Sequence, residues 1–364
     1  MIHGGLTVTF KSDETVAQHC CLRPSVFPVD TTENFWLDKQ FVELREYNKT
    51  NQWHPGCANC EQLEKAQSYS FRQGMNAGLG ITDQTDLSGP VRIDLMFDIS
   101  CNLACRTCGP GSSTFWQKQL KQQNEWYQPI TAPRSKEQVI AALSKLDLSN
   151  LKQLVFCGGE TLLGQQYWDV AEWLAQNVPN AKQQLTLCFQ TNGTQPIHPR
   201  NHGTIEKFFL VRLHVSLDGV GPRFEYLRWP ASWNQVTDNL LELKQSVPSN
   251  VMFLIEETVS IFNLAYSHEL ESWAKQNFST NREGDPINHT RHLAKGLFSL
   301  DHLCEEYVAW ARQNSAGALI SPAWRESSNG IPVMLKQIMA HDARRNQNFP
   351  TILPQVAEFY HRFL

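Results

Sequence analysis

The sequence lacks any long apolar run, and none approaches the roughly 18 residues that a membrane-spanning helix requires. Its first ten residues also lack the basic segment followed by an apolar stretch that marks a secretory signal. These absences predict a cytoplasmic protein that does not insert into a membrane. We find no internal repeat and no low-complexity tract, and 41% hydrophobic with 19% charged residues is an ordinary globular composition.

The sequence also has no excess of positive charge. Lysine and arginine number 32 against 36 aspartate and glutamate residues, which gives a formal net charge of −4. This balance does not favour an extended nucleic-acid-binding surface, although a small basic pocket for a phosphate or nucleotide is compatible with it. A chain of 364 residues can bury a large core and form two domains, or one barrel with an extension.

Short apolar segments alternate with amphipathic ones from Val91 onward. The predicted strands are Val91–Phe97, Gln153–Cys157, Leu185–Gln190, Leu210–Val215 and Met252–Glu256, with a weaker sixth near Ile287–Leu293. The predicted helices include Lys136–Leu146, Gln166–Gln176, Trp233–Gln245 and Leu264–Lys275. Alternating strands and helices predict parallel βαβ units in an α/β fold, and five or six units predict a complete or partial barrel.

Two boundaries divide the chain into three predicted regions. Residues 1–90 are rich in turns and cysteines and end at the Gly89-Pro90 pair. Residues 91–298 form the predicted partial (β/α)6 barrel. Residues 299–364 form a helical extension that several prolines interrupt.

Ten cysteines are informative in a protein expected in the reducing cytosol, where grouped cysteines are more often metal ligands than disulfides. Cys101, Cys105 and Cys108 directly follow the first predicted barrel strand. A structural zinc site favours a closed set of four ligands. Three cysteines on one loop suit a four-iron cluster with one iron open to another ligand. On spacing alone, a zinc loop and coincidence remain alternatives.

The spacing Cys101-x-x-x-Cys105-x-x-Cys108 resembles the signature of the radical S-adenosylmethionine (radical SAM) superfamily. Gly158, Gly159 and Glu160 end the second predicted strand and look like the family motif that holds the amino group of SAM. Two glycines allow close approach of the backbone to a ligand, and a carboxylate can accept a hydrogen bond from an ammonium group. The family often has an aromatic residue before the third cysteine, where this chain has Thr107.

Polar residues also follow the later predicted strands, at the end of a barrel where ligands bind. They include Thr191, Asn192, Ser216, Asp218, Arg228 and Thr258. The resemblance implies that Thr191-Asn192 and Ser216–Asp218 lie near the ribose and carboxylate of SAM. Arg228 is either a partner of that carboxylate, which a guanidinium can bind in bidentate fashion, or part of a surface salt bridge.

A second cysteine group comprises Cys20, Cys21, Cys57 and Cys60. With its surroundings it resembles a twitch domain, a shortened relative of the SPASM domain, which holds an auxiliary four-iron cluster. Twitch domains usually follow the barrel, whereas this group precedes it. Cys20 and Cys21 would point to opposite faces of a strand, so one of them is expected to bind, and Cys21 is favoured. A small zinc knuckle is the alternative.

Three cysteines stand alone. Cys157 and Cys188 are predicted to be small buried core residues. Cys304 has three interpretations: a buried thiol on a helix, which we favour, a ligand that completes the auxiliary cluster, or a hydrogen-atom donor to a substrate radical.

The resemblance implies an enzyme that cleaves SAM to a 5′-deoxyadenosyl radical and removes a hydrogen atom from a substrate. Its implied cofactors are SAM, a SAM-binding four-iron cluster and an auxiliary four-iron cluster. An electron donor such as flavodoxin or ferredoxin is the implied partner. The substrate is expected to be peptide- or amino-acid-derived, for a crosslink, epimerisation or rearrangement. A nucleotide or small metabolite is the alternative, and a non-catalytic iron–sulfur or zinc protein is the alternative from another class.

Overall fold

The computed structural model describes residues 5–10, 15–19, 27–50, 52–82, 84–125, 134–278, 289–320, 324, 326 and 329–363. The strands in these ranges are β1 (Gly5–Phe10), β2 (Thr15–His19), β3 (Phe27–Pro28), β4 (Arg92–Met96), β5 (Gln153–Phe156), β6 (Thr186–Thr191), β7 (Leu210–Ser216), β8 (Val251–Val259) and β9 (His289–Leu293). They form one sheet in the order β3-β2-β1-β4-β5-β6-β7-β8-β9.

The larger part of this sheet is parallel. Strands β4 to β9 lie side by side in chain order, and each is parallel to the next. Strand β1 adds a further parallel neighbour to β4, and β2 and β3 continue antiparallel from it. The described sheet is therefore open, with β3 and β9 at its edges. This confirms the α/β fold with a partial parallel barrel, although β1 was not predicted.

Helices connect the parallel strands and form the region after β9. The described α-helices are α1 (Lys39–Lys49), α2 (Ala58–Lys65), α3 (Phe71–Leu79), α4 (Thr114–Gln122), α5 (Lys136–Leu143), α6 (Gln165–Asn177), α7 (Ala181–Gln184), α8 (His202–Ile205), α9 (Pro222–Leu227), α10 (Trp233–Ser246), α11 (Ser267–Asn277), α12 (Glu305–Gln313), α13 (Gly330–Arg345), α14 (Phe349–Ile352) and α15 (Pro354–Phe359). The four predicted barrel helices correspond to α5, α6, α10 and α11. The last predicted strand corresponds to β9, and its residues 287 and 288 lie outside the described residues.

The two faces of the parallel sheet differ in character because successive side chains of a strand point to opposite sides. On β4, Ile93 and Leu95 are fully buried in the core cluster beneath the connecting helices. Arg92 and Asp94 point to the other, inner face and form an ion pair there. The inner face of the partial barrel is therefore partly polar, and it can receive a ligand.

The apolar core has two main parts. One lies between the sheet and the barrel helices. The other lies among the helices after β9, which agrees with the predicted helical C-terminal region. The boundaries near residues 90 and 298 stay predictions, and β1 extends the sheet with a strand from the first region. Within the described ranges, no helix is both long and apolar enough to cross a membrane.

Candidate active site

The loop after β4 carries three cysteines, Cys101, Cys105 and Cys108. Hydrogen bonds from neighbouring elements hold this loop in place. The backbone amide of Arg106 donates to the carbonyl of Leu227 at 2.8 Å. The indole Nε1 of Trp116, on α4, donates to the carbonyl of Cys105 at 2.9 Å. The cysteine loop is thus fixed against the helices on both sides of it.

Arg106 also anchors the loop to the C-terminal helices. It is one of the largest fully buried side chains described. Its Nη2 donates to Asp342 Oδ1 at 2.5 Å, and its Nε donates to the carbonyl of Tyr226 at 2.9 Å. Asp342 lies on α13, so one charged side chain links the cysteine loop to the region after the barrel.

A cavity of about 380 Å³, which we call the cysteine cavity, opens at the carboxyl ends of the parallel strands. The predicted site residues that line it are Cys101, Cys105, Cys108, Gly158, Gly159, Thr191, Asn192, Ser216, Arg228 and Thr258. They come from loops far apart in the sequence, so the structure brings these ten predicted residues together. Glu160 and Asp218 lie behind the lining, in contact with it.

The three cysteines can provide the thiolate ligands of an iron–sulfur cluster. Burial raises the pKa of the Cys101 and Cys105 thiols to about 11, which favours the protonated form in the absence of a cationic centre. No other cysteine, histidine or carboxylate is among the described residues that line the cavity. No described group of three such side chains is arranged to hold one metal ion. A cluster that takes three thiolates on three separate irons fits both observations.

Gly158 and Gly159 bring the β5 loop against the cysteine loop. Both have positive φ angles, 89° and 56°. An ideal Cβ at Gly159 would lie 2.4 Å from the carbonyl oxygen of Ser100, and one at Gly158 would lie 2.6 Å from the side chain of Met96. Any other residue would clash there and would also be strained, so glycine is required at both positions.

Glu160 is 1% exposed, and its carboxylate is fully engaged inside the protein. Oε1 accepts hydrogen bonds from the Thr191 hydroxyl at 2.7 Å and from the Leu162 amide at 3.0 Å. Oε2 accepts from the Asn192 amide at 2.6 Å. Burial raises the pKa of Glu160, and these hydrogen bonds oppose that rise. Glu160 therefore joins the β5 loop to the end of β6, and it lies behind the cavity lining.

Arg228 is buried, lines the cavity and pairs with Asp218. Its Nε lies 2.9 Å from Asp218 Oδ2, with side-chain exposures of 9% and 1%. Asp218 Oδ1 accepts a hydrogen bond from the Thr258 amide at 2.8 Å. Arg228 thus belongs to a buried ion pair, and not to the surface salt bridge that was the alternative interpretation. Asp218 fixes the guanidinium beside the cavity.

The cavity also contains residues that were not predicted as site residues. These are Leu103, Thr107, Gly109, Ser112 and Gln190. Gln190 directly precedes the predicted Thr191 and faces inward at the end of β6. Four of the five lie within or just after the cysteine loop, so proximity to that motif was the available signal.

Residues 99–262 match the family model of the radical SAM superfamily. The chain therefore contains a radical SAM domain over these residues. The matched segment begins two residues before the first loop cysteine and extends past the end of β8. It therefore includes every predicted residue of the cysteine cavity. No curated protein matches the chain significantly in sequence.

Two solved structures are similar to the chain at low identity. Streptococcus suis SuiB bound to S-adenosylmethionine aligns over 96% of this chain and 74% of that chain, with 10% identity and a TM-score of 0.40. Native anSMEcpe with bound AdoMet and Cp18Cys peptide aligns over 57% of this chain and 54% of that chain, with 18% identity and a TM-score of 0.38. The assignment of the radical SAM domain rests on the sequence match over residues 99–262.

The second cysteine group lies before the radical SAM domain. Cys57 is the N-cap of α2 and Cys60 lies in its first turn, so their spacing of three places them on one side of the helix. Cys20 and Cys21 lie outside the described residues. Beyond this pair, Glu64 on α2 forms an ion pair with Arg72 on α3. This contact packs the helix that carries the cysteines against its neighbour.

None of the three isolated cysteines is among the described residues that line the cysteine cavity. Cys304 is fully buried in the C-terminal core cluster, and its thiol donates to the carbonyl of Phe359 at 3.1 Å. Cys188 is fully buried on β6, and Gln153 donates to its sulfur at 3.5 Å. The Cys157 thiol donates to the carbonyl of Leu95 at 3.4 Å. Each sulfur thus contacts a protein group within the fold.

Proposed function

We propose that the chain reductively cleaves SAM and uses the 5′-deoxyadenosyl radical to remove a hydrogen atom from an unactivated carbon of its substrate. The observation that carries this proposal is the cysteine cavity itself. Three thiols of one loop share it with a glycine pair of close backbone approach and a buried arginine. These are the groups that a three-cysteine cluster and an amino-acid ligand require.

The residues divide the work by chemical type. Cys101, Cys105 and Cys108 hold the cluster, which when bound with SAM supplies one electron to the sulfonium and so releases methionine and the radical. Arg228 binds the SAM carboxylate, because a guanidinium can present two donors to it. Gly158-Gly159 lets the backbone lie beside the methionine moiety.

The remaining cavity residues orient the nucleoside part of SAM. Thr191, Asn192, Ser216 and Thr258 offer hydroxyl and amide groups at the ends of β6, β7 and β8. Glu160 acts behind them as a positioning residue, because its carboxylate fixes Thr191 and the Asn192 backbone. This assignment differs from direct binding of the SAM amino group, which the sequence motif implies.

The test is anaerobic reconstitution with iron and sulfide, followed by reduction in the presence of SAM. We expect 5′-deoxyadenosine and methionine in equal amounts from the wild-type protein. Replacement of Cys101, Cys105 and Cys108 together with alanine should abolish both products and the SAM-dependent cluster signal. The control is Cys304→Ala, which should form the products at the wild-type rate. Iron-loaded wild-type protein that binds SAM and yields no 5′-deoxyadenosine would contradict the proposal.

We further propose an auxiliary four-iron cluster held by Cys57, Cys60 and one residue of the Cys20-Cys21 pair, with Cys21 favoured. The common helix face of Cys57 and Cys60 supports it. Two four-iron clusters correspond to about eight irons per chain. Cys57→Ala with Cys60→Ala should remove about half of the iron and keep SAM binding. If the site instead holds zinc and SAM cleavage is intact, the site is a zinc knuckle and the auxiliary-cluster proposal is wrong.

The proposed substrate is a peptide or an amino-acid-derived group, and flavodoxin or ferredoxin is the proposed electron donor. The twitch-like sequence around Cys57 and Cys60 supports the peptide. A nucleotide or small metabolite is the second candidate. A short precursor peptide encoded beside the gene would favour the first candidate, and nucleotide-modifying enzymes encoded there would favour the second. Deuterium transfer from a labelled candidate into 5′-deoxyadenosine would identify the substrate directly.

A further inference from the structure

A second cavity lies at the opposite end of the partial barrel. It measures about 890 Å³, and we call it the basal cavity. Its walls on the strand side are Arg92, Gln153, Arg212 and Thr290, near the amino ends of their strands. Helix α3 forms the other wall. Neither the radical SAM domain match nor the cysteine cavity assigns a function to the basal cavity.

One face of β7 connects the two cavities. Arg212 lines the basal cavity and Ser216 lines the cysteine cavity. Because their separation is an even number of residues, both side chains point to the inner face of the sheet. Four residues of strand correspond to about 13 Å. Their neighbours Leu213 and Val215 are buried on the helix side.

The inner face between the cavities is polar and partly accessible. Asp94, His214 and Glu256 occupy this middle level, and their side chains are 27%, 17% and 14% exposed. His214 Nδ1 lies 2.6 Å from Glu256 Oε1. The inner face between the cavities therefore carries polar groups beside the buried side chains of Val155 and Cys188.

The charges in and above the basal cavity favour an anion. Arg92 pairs with Asp94 at 2.8 Å and donates to Gln153 at 2.8 Å. Arg212 has neither an ion pair nor a side-chain hydrogen bond to any residue that the structure describes, and its Nε is shielded from solvent. Arg212 as a whole is only partly buried, so its remaining guanidinium N–H groups are available to an acceptor in the cavity.

The middle level does not neutralise Arg212. Burial opposes protonation of His214, but contacts with Cys188 and Glu256 outweigh it and raise the pKa of His214 to about 9. His292, on the neighbouring strand, has a raised pKa through the same carboxylate. The only carboxylate that faces these histidines among the described residues is Glu256, so it is already balanced.

We propose that the basal cavity binds an oxyanion of the substrate, a carboxylate or a phosphate, through Arg212. Gln153 and Thr290 supply further hydrogen-bonding groups, and the exposed rings of Tyr69 and Phe71 cover an adjoining apolar part of the ligand. This proposal adds a substrate-binding site to the proposed function. It rests on that function, because the bound oxyanion is taken to belong to the substrate of the proposed reaction. It also sets a length: the oxyanion lies about 13 Å below the level of SAM, or roughly four extended peptide residues.

The test measures binding of inorganic phosphate and of glutarate to the iron-loaded protein by calorimetry, at constant ionic strength in chloride. Wild-type protein should bind one of them, and Arg212→Gln should weaken that binding about tenfold or more, the effect of losing charged hydrogen bonds. Arg212→Lys should retain part of the affinity, since it keeps the charge. Arg200→Gln, an exposed arginine on the barrel surface, should match the wild type.

The outcomes separate cleanly. Preference for phosphate indicates a phosphorylated substrate, and preference for glutarate indicates an acidic peptide or other carboxylate. Wild-type protein that binds neither anion, or Arg212→Gln that binds as tightly as wild type, would overturn the site. SAM affinity and uncoupled 5′-deoxyadenosine formation should be unchanged in Arg212→Gln. If wild-type protein does not cleave SAM, the proposed function is wrong. The anion-binding measurement still tests the basal cavity in that case, because it does not depend on SAM cleavage.

Discussion

The hydroxyl of Thr191 donates a 2.7 Å hydrogen bond to the buried carboxylate of Glu160, across 31 residues of sequence. This contact joins the ends of two adjacent strands exactly where they border the cysteine cavity, and Thr191 itself lines that cavity. A side chain that never reaches the cavity surface thereby sets the shape of the surface.

Replacing Glu160 with glutamine tests this arrangement. The new amide group would face backbone N–H donors, so at least one donor or the amide itself loses its partner, at a cost of about 1–3 kcal/mol. We expect a lower melting temperature and weaker SAM binding, with iron content unchanged. The matched control is Glu242→Gln, at an exposed position on α10. Weaker SAM binding with an unchanged melting temperature would instead indicate direct contact between Glu160 and SAM.

Arg228 and Asp218 should act as a unit in SAM binding. Arg228→Lys loses the bidentate geometry, and Asp218→Asn frees the guanidinium from its 2.9 Å partner. Both variants should weaken SAM binding about tenfold, the order expected for a charged hydrogen bond. Titration with SAM by calorimetry measures this. Arg223→Lys serves as the control and should bind SAM normally, because Arg223 lies on helix α9, which Arg228 directly follows, but pairs with Glu269.

Gly159→Ala should disrupt the cysteine loop. The added methyl would approach Ser100 O to 2.4 Å in a left-handed backbone conformation, which costs on the order of 1–3 kcal/mol. We expect a lower melting temperature and reduced iron incorporation. Gly203→Ala places the same methyl in open space on α8 and should change neither quantity. Equal behaviour of the two variants would show that the β5 loop can move away from the cysteine loop.

The His214–Glu256 pair predicts a defined pH dependence of stability. The pKa of His214 is raised from 6.5 to about 9, so its contribution is complete below about pH 6.5 and is lost as pH rises through 9. The unfolding free-energy difference between wild type and His214→Gln should therefore shrink between pH 6.5 and 9. Chemical denaturation across this range measures it. The variant His268→Gln, at an exposed position on α11, should differ from wild type by a constant amount.

Cys304→Ala should behave as a core substitution. Its sulfur is fully buried among C-terminal helices, and the loss of so small a group costs about 1 kcal/mol. We expect a small decrease in melting temperature, with iron content, cluster spectrum and product unchanged. Loss of an auxiliary-cluster signal would make Cys304 a ligand. Normal 5′-deoxyadenosine formation without normal product would make it a hydrogen-atom donor.

The sequence predicts the barrel strands and the cavity because both leave local signals. Short apolar runs mark β4 to β8, and polar motifs follow them where a parallel sheet gathers loop residues at one end. Strand β1 leaves a weaker signal, since its pairing with β4 joins residues 87 positions apart, such as Gly5 and Arg92. The Glu160 side chain is held inside the protein by hydrogen bonds from Thr191 and Asn192. No local sequence pattern predicts these contacts.

The sequence does not predict the basal cavity either. Arg92, Arg212 and Thr290 belong to three strands, and only the folded sheet brings them to one cavity. Arg228 illustrates a different limit. Its position after the fourth predicted barrel strand predicts that it lies near the ligand. Only the structure shows that its side chain is buried and therefore does not form a surface salt bridge.

Arg106 gives the C-terminal helices a thermodynamic role in cofactor retention. Its guanidinium belongs to the cysteine loop, while its counter-ion Asp342 belongs to α13. If cluster binding requires the docked form of this loop, any change that favours docking of α13 must favour cluster binding by the same factor, and loss of the cluster must loosen α13 in return. Truncation of the chain before α13 would leave a buried positive charge beside the cysteines, so the tail and the cluster are expected to be lost together.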